Sequence, residues 1–265
     1  MKKGTEYETH VADPDFARKI MESLHQSKSY KRPKAPTKRE KIGKKYGYKE
    51  ADIFFWLAEH SEIRPERVLD LGCGQGYLAG LLQKSYPWAR ILGLDINFEC
   101  LGKGLKAGHF ENGCAIHADL YHLERGAGSA RLKKGLKVKT HEDVRFTDVE
   151  VGPSKEKLSD FDLVTCLDAG PDPISLDGLG EEHEPSVPIS TAGNFVKSGG
   201  RLVYAIPESN IWRPNVSEKE LEADMAELKK SAEAAGFEAT ECRLIGQSGY
   251  EQDIAVLCRK PAKNI

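Results

Sequence analysis

Apolar residues recur at helical spacing in the first part of the chain. Asp13 and Pro14 are typical of a helix start, because aspartate caps the amide groups of the first turn and proline fits its first position. The apolar residues that then share one helix face are Phe16, Ile20, Met21 and Leu24. A second stretch from Lys49 to His60 has the same spacing. The pattern therefore predicts two helices before the first strand.

Beyond Val68, short apolar runs alternate with helical spacing. The run VLDLGCG ends in a glycine cluster, and a helical segment through Leu78, Leu81 and Leu82 follows. The next apolar run, ARILGLDIN, contains Asp95 near its end. A strand, a glycine turn, a helix and a second strand in this order are typical of a parallel sheet covered by helices.

The second half of the chain predicts further strands and one long helix. The predicted strands are Asp143 to Val149, Phe161 to Asp168, Gly200 to Pro207, and a hairpin formed by FEATECRLI and QDIAVLCRK. The helix covers Glu218 to Ala235, with a capping box at Ser217 and Glu220. The segment from Gly108 to His141 is predicted to be a polar insertion with one short helix around Ala118 to Leu123.

Composition adds a marked charge asymmetry to this α/β pattern. A chain of 265 residues with 39% apolar and 30% charged residues can build one sizeable core. Its net charge of −2 hides a stretch from Lys28 to Lys49 that carries +9, which leaves −11 for the remainder. Such asymmetry predicts a polyanionic partner. The residues assigned to that partner are Lys28, Lys31, Arg32, Lys34, Lys38, Arg39, Lys41, Lys44 and Lys45.

The composition of the basic stretch also predicts its conformation. Pro33, Pro36 and Gly43 favour an extended arm over a packed element. The predicted organisation is an N-terminal helix with a basic arm over residues 1–48, followed by one catalytic domain over residues 49–265. A localisation signal or a solubilising tail is the alternative explanation of the arm.

Apolar runs and cysteines bear on compartment and metal content. No apolar run approaches the roughly 18 residues of a membrane span, and the first residues lack the apolar centre of a signal peptide, so a cytoplasmic protein without membrane contact is expected. The six cysteines include no CxxC pair and are expected to be reduced thiols. His109, Cys114, His117 and His122 lack the paired spacing of structural zinc sites, so no metal is predicted.

The motif DLGCGQG carries the clearest chemical signal. It follows an apolar strand, and the third glycine of the dinucleotide pattern GxGxxG comes one position early, with Tyr77 in its place. Gly72, Gly74 and Gly76 allow a sharp turn on which a ligand can lie against the backbone. Asp95 follows nineteen residues after Gly76 at the end of a predicted strand, where a carboxylate can accept the two hydroxyl groups of a ribose.

These motifs resemble those of the S-adenosylmethionine (AdoMet)-dependent methyltransferases. The resemblance covers about Arg67 to Asp168 and implies the class I fold, a mostly parallel seven-stranded sheet with a C-terminal antiparallel hairpin. An unrelated Rossmann-like glycine turn is the alternative. The resemblance implies AdoMet as cofactor, with Asp70 near its amino group and Asp95 on its ribose. The remaining residues that it places around the cofactor are Gly72, Cys73, Gly74, Gly76, Tyr77 and Ile96.

A narrower resemblance, to the FtsJ-like RNA 2′-O-methyltransferases including the flavivirus-type cap methyltransferase domain, lies in VRFTDVE and FDLVTCLDAGPDP. It implies that Asp148 and Val149 flank the adenine and that Asp168 contacts both cofactor and acceptor. It also implies catalytic roles for Asp168, Lys49 and Glu251, with Asp253 as an alternative to Glu251. The chain departs from that family at Ala205, where the family has a lysine.

This departure leaves the acceptor atom open. Either Lys197 or Lys49 replaces the missing lysine, or the acceptor is a nitrogen such as guanine N7, which needs no base, or 2′-O activity is lost. The predicted function is methylation of RNA, at a cap or at another site, and the viral members of the family imply the host cytoplasm as location. The alternatives are a methyltransferase for a small molecule or protein, with Asp172 to Pro188 as a lid, and an inactive RNA-binding module.

Overall fold

A computed structural model describes most of the predicted catalytic domain. The described residues are 37–60, 62–111, 113–120, 123, 127–134, 148–167, 189–207, 217–246 and 252–262. The predicted first helix, the arm residues before Thr37, and the candidate residues Asp168 and Glu251 lie outside them. The elements given below all belong to one compact unit, Lys38–Ile265.

Six helices and nine strands are defined among the described residues. The helices are α1 (Lys38–Tyr46), α2 (Tyr48–Glu59), α3 (Tyr77–Ser85), α4 (Phe98–Ala107), α5 (Ile189–Gly193) and α6 (Glu218–Ala234). The strands are β1 (Arg67–Leu71), β2 (Arg90–Asp95), β3 (Ala115–His117), β4 (Gly128–Leu132), β5 (Val149–Pro153), β6 (Phe161–Leu167), β7 (Val196–Pro207), β8 (Glu238–Gly246) and β9 (Gln252–Arg259).

All nine strands form one sheet in the order β5-β4-β3-β2-β1-β6-β7-β9-β8. Strands β3, β2, β1, β6 and β7 run parallel, and β9 inserts antiparallel between β7 and β8. This arrangement confirms the predicted Rossmann-like methyltransferase fold and its C-terminal hairpin. The strand number of seven was wrong, because β4 and β5 extend the sheet beyond β3 with antiparallel pairing.

Part of the predicted insertion from Gly108 to His141 forms strands β3 and β4 of the sheet. Ala115–His117 is only three residues long, and Gly128–Leu132 is five residues long and includes glycine and alanine, which are weak strand formers, so neither was recognised as a strand from its sequence. Most of the predicted strand Asp143 to Val149 lies outside the described residues, and its last residue, Val149, is the first residue of β5.

The sheet separates two apolar layers, and alternation along each strand assigns every side chain to one of them. On β1, Val68 packs with α2, α3 and α4, whereas Leu69 and Leu71 pack with α5 and α6. Asp70, two residues after Val68, therefore faces the α2 side. Ala205 on β7 and Ala255 on β9 face the same side.

The C-terminal half of the basic stretch is helical, which corrects the prediction of an extended arm there. In α1, Gly43 and Tyr46 are buried against the body of the domain. A Cβ atom at Gly43 would lie 2.5 Å from the ring of Tyr48, so only glycine allows this close approach. Four lysines share the opposite face, as the spacing of 3.6 residues per turn requires: Lys38, Lys41, Lys44 and Lys45.

Within the described part of the chain, the helices are too short or too polar to span a lipid bilayer.

Candidate cofactor and acceptor site

The glycine loop between β1 and α3 depends on backbone conformations that favour glycine. Gly72, Gly74 and Gly76 have φ angles of 66°, 51° and 71°. These angles lie in the left-handed region, where a side chain is strained. Gly76 is also the N-cap of α3, so the chain turns directly from the loop into the helix.

The ring of Phe110 supports this loop from behind. A Cβ atom at Gly76 would lie 2.2 Å from the ring, and one at Gly93 of β2 would lie 2.3 Å from it. A Cβ atom at Gly104 of α4 would lie 2.5 Å from the carbonyl oxygen of Gln75. Loop, strand and helix therefore meet at one aromatic ring. Phe110 was not predicted to support the loop, because it falls within the predicted insertion. Glycines in three different elements, Gly76, Gly93 and Gly104, were the available sign that a large side chain packs between them.

Gly74 differs from Gly76 because the space that a side chain would occupy is open. No atom lies within 4 Å of a Cβ built at Gly74, whereas the equivalent position at Gly76 is filled. The outer side of the loop is thus open, and its backbone is accessible to a ligand. This open space fits the extended methionine part of AdoMet.

Asp95 at the end of β2 holds the loop from the opposite side. Its Oδ2 accepts a hydrogen bond from the amide of Gly74 at 2.7 Å, and its Oδ1 accepts one from the amide of Asn97 at 2.6 Å. A carboxylate has about four acceptor positions, so capacity remains for hydroxyl groups. The next side chain, Ile96, is 64% exposed and offers an apolar surface beside the carboxylate.

Asp70 lies beneath the loop in the sheet. Its side chain is buried, and its Oδ1 accepts a hydrogen bond from the hydroxyl of Thr165 on β6 at 2.7 Å. Burial raises the pKa of Asp70 to about 7, and the charges of Glu50 and Asp95 add to the rise while Thr165 opposes it. Direct contact with the amino group of AdoMet stays a prediction.

The raised pKa of Asp70 predicts a pH-dependent stability. In the unfolded chain this carboxyl ionises near pH 4, whereas in the folded protein it keeps its proton up to about pH 7. The folded state therefore binds more protons between these values, and the free energy of unfolding falls as the pH rises from 4 to 7. We expect Asp70→Asn to remove this component, so that its melting temperature exceeds that of the wild type by several degrees at pH 8 but not at pH 4. Thermal melts across this range measure the effect, and equal differences at both pH values would contradict it.

Cys73 and Tyr77 occupy different positions in the loop region. Cys73 is buried beneath the loop, and burial raises the pKa of its thiol well above the ordinary value. Tyr77 opens α3 and packs edge-to-face on the ring of His109 at 5.1 Å. Its ring also lies 6.4 Å from that of Tyr46 in α1. Cys73 thus belongs to the core, whereas Tyr77 connects the loop to α1.

The prediction that Asp148 and Val149 flank the adenine was wrong. Val149 pairs with Leu132 at the edge of the sheet where the parallel strands begin, whereas the loop and Asp95 lie where they end. Three strands and four residues separate Val149 from the level of Asp95, which is roughly 20 Å. Asp148 instead forms an ion pair of 3.1 Å with the buried Lys106 of α4.

Ala118 and Asp119 occupy the position that the sequence analysis assigned to Asp148 and Val149. They follow β3 directly, at the same sheet edge as Asp95. The amide of Ala118 donates a hydrogen bond of 3.1 Å to the carbonyl oxygen of Asp95. Asp119 is half-buried beside it. A carboxylate after an apolar AIHA segment is the sequence signal that could have identified this position.

Among the lysines considered for proton transfer, only Lys49 lies at the correct edge. Lys197 stands at the start of β7 and contacts Asp162 at the opposite edge of the sheet, so it cannot replace the lysine missing at Ala205. Lys49 on α2 forms an ion pair of 2.8 Å with Asp253 on β9. Asp253 is next to Pro207, where β7 ends.

The described residues contain no group of three or more side chains arranged to hold a metal. His109 accepts or donates a hydrogen bond at the carbonyl oxygen of Gln75, and His117 does so at that of Ile96. Cys114 lies just before the start of β3 and His117 at its end. His109, Cys114 and His117, three of the four residues considered as zinc ligands, therefore do not come together at one site.

Comparison with known proteins decides the family. A family model described as a methyltransferase domain matches residues 47–242, which is more than half of the chain. The chain belongs to this methyltransferase family. It is a class I AdoMet-dependent methyltransferase domain, and AdoMet is its cofactor. The match begins just before α2 and ends within β8, so it includes the glycine loop, Asp95 and Lys49.

The methyltransferase is similar in sequence to curated enzymes from bacteria. It is 40% identical over 52 residues to a malonyl-[acyl-carrier protein] O-methyltransferase of Legionella pneumophila, covering 20% of this chain and 18% of that protein. It is 25% identical over 158 residues to a ubiquinone biosynthesis O-methyltransferase of Paraburkholderia phymatum, covering 59% of this chain and 50% of that protein. The chain thus spans at most half the length of these two relatives.

Solved structures with a similar course of the chain are methyltransferases as well. Magnesium protoporphyrin IX methyltransferase of Synechocystis with bound S-adenosylhomocysteine (AdoHcy) has a TM-score of 0.48 at 15% identity, covering 85% of this chain and 89% of that one. A 16S rRNA (adenine(1408)-N(1))-methyltransferase of Catenulisporales acidiphilia has a TM-score of 0.41 at 16% identity, covering 87% and 95%.

Proposed function

We propose that AdoMet binds across the glycine loop and the ends of β2 and β3. Its methionine part lies on the open side of Gly74, its ribose on Asp95, and its adenine between Ile96 and Asp119. The open space at Gly74, the carboxylate at the end of β2 and the exposed apolar side chain of Ile96 support this placement. Bound AdoMet supplies an electrophilic methyl group carried on a sulfonium.

We further propose that the acceptor is RNA. The observation that carries this proposal is the lysine face of α1, formed by Lys38, Lys41, Lys44 and Lys45. All four side chains are exposed, and they outnumber the one acidic residue of α1, Glu40, which is exposed beside Lys44. Cations on one helix face neutralise successive phosphates of a nucleic acid without regard to its sequence.

The position of the lysine face relative to the loop supports an RNA acceptor. Tyr46 lies on the buried side of α1, and its hydroxyl accepts a hydrogen bond from the ammonium group of Lys84 in α3. Its ring lies near that of Tyr77, at the end of the loop. RNA on the outer side of α1 is therefore close to the edge where methyl transfer takes place. The earlier cations Lys28, Lys31, Arg32 and Lys34 remain part of the proposal from sequence alone.

Arg39 has a different role from the lysines. Its guanidinium forms an ion pair with Asp52 of α2 and donates a hydrogen bond of 3.0 Å to the carbonyl oxygen of Gly246. Asp52 also accepts a hydrogen bond from the amide of Gly246 at 2.9 Å. Arg39 thus joins α1 to α2 and β8, and we remove it from the RNA-contacting set.

Transfer of tritiated methyl groups to capped and uncapped RNA tests the proposed acceptor. Nuclease mapping of the product distinguishes a ribose 2′-O from a base nitrogen. We expect label in RNA that depends on AdoMet and is lost with excess AdoHcy. Absence of label from both RNAs, with AdoMet bound in the same sample, would overturn the RNA proposal and leave the cofactor proposal standing.

Replacing Lys41, Lys44 and Lys45 by alanine tests the lysine face. Since each cation lost from a contact with single-stranded RNA removes about 0.7 from the slope of log K against log salt, we expect the slope to fall by about 2. The affinity for AdoMet should stay unchanged. Filter binding at several salt concentrations measures the slope. The matched control replaces Lys219, Lys229 and Lys230, three exposed lysines of α6. An equal fall of the slope in this control would refute the proposal that RNA binds specifically to the lysine face of α1.

A hydroxyl or carboxyl oxygen of a small molecule or of a carrier-bound acyl group is the second candidate acceptor. It is favoured by the named relatives, which are O-methyltransferases of malonyl-[acyl-carrier protein] and of ubiquinone biosynthesis. Under this alternative the lysine triple variant keeps full activity on the acceptor. Transfer of label to a catechol or a carboxylic acid, but not to RNA, would decide for it.

A further inference from the structure

A buried carboxylate lies on β9 at the same edge of the sheet as the glycine loop. Asp253 has a fully buried side chain and belongs to β9, opposite Pro207 at the end of β7. It alternates with Ala255 and Leu257, which face α2, so its side chain faces α2 as well. This is the sheet face on which the glycine loop and Asp70 lie. A charge in such a position is costly unless it is paired.

Helix α2 supplies the partner from above this face. The Nζ of Lys49 lies 2.8 Å from Oδ2 of Asp253, and the lysine side chain is 16% exposed, so the pair reaches the surface only through Lys49. The next residue, Glu50, contributes to the raised pKa of Asp70 on β1. The first turn of α2 therefore extends between the end of β1, beneath the cofactor loop, and the end of β9.

Between these strands, β7 presents a small side chain. Ala205 is buried on the same face and pairs with Ala255, two residue pairs along the ladder from Asp253. A small residue here leaves the space above β6 and β7 to groups from α2. Of the two lysines considered, Lys49 contacts Asp253 beside the end of β7, whereas Lys197 lies at the opposite edge.

We propose that Lys49 accepts the proton of a hydroxyl acceptor during methyl transfer and that Asp253 positions Lys49 and exchanges a proton with it. The inference rests on the cofactor placement proposed above and names the acceptor as a hydroxyl, which for RNA is a ribose 2′-hydroxyl. Lys49 is then the catalytic residue, and Asp253 is a positioning residue.

The proton balance of this step is simple. Lys49 passes one proton to Asp253, which leaves both groups neutral in a buried site. As the acceptor oxygen forms its bond to the methyl carbon, its O–H bond breaks and the proton moves to Nζ of Lys49. The electron pair of the broken carbon–sulfur bond stays on the thioether. The positive charge lost from the cofactor reappears on Lys49.

Kinetics of the lysine variants separate this role from a structural one. Lys49→Arg preserves the ion pair with Asp253, but an arginine cannot be deprotonated in a protein. We expect kcat for RNA methylation to fall by about 10²- to 10⁴-fold in Lys49→Arg, with KM and AdoMet affinity within about twofold of wild type. A kcat equal to that of the wild type would overturn the proposal. Lys197→Met, at the opposite sheet edge, is the matched control and should keep its kcat.

Binding of cofactor analogues tests the location of the pair without any acceptor. Sinefungin carries an amine where AdoMet carries its methyl sulfonium, whereas AdoHcy has no charge there. If Lys49 and Asp253 face this position, Asp253→Asn weakens sinefungin relative to AdoHcy by about fivefold or more, and Lys49→Met strengthens it by a similar factor. Calorimetric titration measures both ratios.

The two experiments give distinct outcomes. Ratios equal to wild type in both variants would overturn the inference, whether or not RNA is methylated. Altered ratios without RNA methylation would support the location of the pair while refuting RNA as acceptor. Where Lys49→Met does not fold because Asp253 is left unpaired, the double variant with Asp253→Asn removes both charges. Removing the lysine charge from the Asp253→Asn background should restore the binding of sinefungin relative to AdoHcy to about the wild-type ratio, and a ratio equal to that of Asp253→Asn would count against the proposal.

Discussion

Asp95→Ala is expected to weaken AdoMet binding by about 10- to 150-fold. The carboxylate lies at the end of β2, beside the open loop, and hydrogen bonds to a charged group contribute about 1.5 to 3 kcal/mol. The same substitution removes the acceptor for the amide of Gly74, which lies 2.7 Å from Oδ2. The loop therefore loses its anchor at the position where it meets the cofactor. Calorimetric titration of AdoMet and AdoHcy measures the loss.

Asp148→Asn is the matched control for Asp95→Ala. It also removes a carboxylate that a narrower family resemblance places at the adenine, but this carboxylate pairs with Lys106 at the other edge of the sheet. We expect lower thermal stability, because the buried lysine loses its partner, and an unchanged affinity for AdoMet. A tenfold loss of affinity in Asp148→Asn would show that the strand register argued here is wrong.

Gly76→Ala is expected to destabilise the fold by roughly 2 to 5 kcal/mol. The new methyl group would lie 2.2 Å from the ring of Phe110, and the residue has a φ of 71°. Overpacking costs about 1 to 3 kcal/mol and a left-handed conformation about 1 to 2 kcal/mol more. Urea denaturation measures the change. A second substitution, Phe110→Leu, replaces the ring by a smaller side chain. The double variant should therefore recover part of the lost free energy of unfolding, because the two sites are in contact.

Gly74→Ala separates the cost to the cofactor from the cost to the fold. Its methyl group meets no atom within 4 Å, so the loss of stability should stay near the 1 to 2 kcal/mol of the left-handed conformation alone. AdoMet affinity should nevertheless fall at least tenfold, since the methyl group occupies the space assigned to the cofactor. Unchanged affinity in Gly74→Ala would place AdoMet elsewhere on the loop.

Local patterns explain why some parts of the site were predictable from the sequence. An apolar strand followed by three closely spaced glycines, and a second strand ending in Asp95, each depend on residues that are neighbours in the chain. The capping box at Ser217 and Glu220 is equally local, and both of its hydrogen bonds are present. Local chemistry of this kind holds in almost any tertiary context.

Other parts depended on which strands become neighbours. Whether Asp119 or Asp148 lies near the adenine depends on the register and direction of β3, β4 and β5, and strands of three to five residues are too short for their sequences to determine which strands pair. The helical state of Lys38–Tyr46 depends on burial of Gly43 and Tyr46 against distant elements, which outweighs the prolines and glycines nearby.

The sequence by itself determined the methyltransferase fold, the glycine loop, the acidic residue at the end of β2 and the uneven charge, because each is carried by residues close together in the chain. Only the tertiary structure decided which of the basic residues are exposed and which charged side chains meet at the ends of α2 and β9. It divided α1 into an anchoring side with Arg39 and an exposed lysine face, and it brought Lys49 to Asp253 across about two hundred residues of chain. Such pairs form because burial of a carboxylate requires a partner, and the fold alone determines which lysine is within reach.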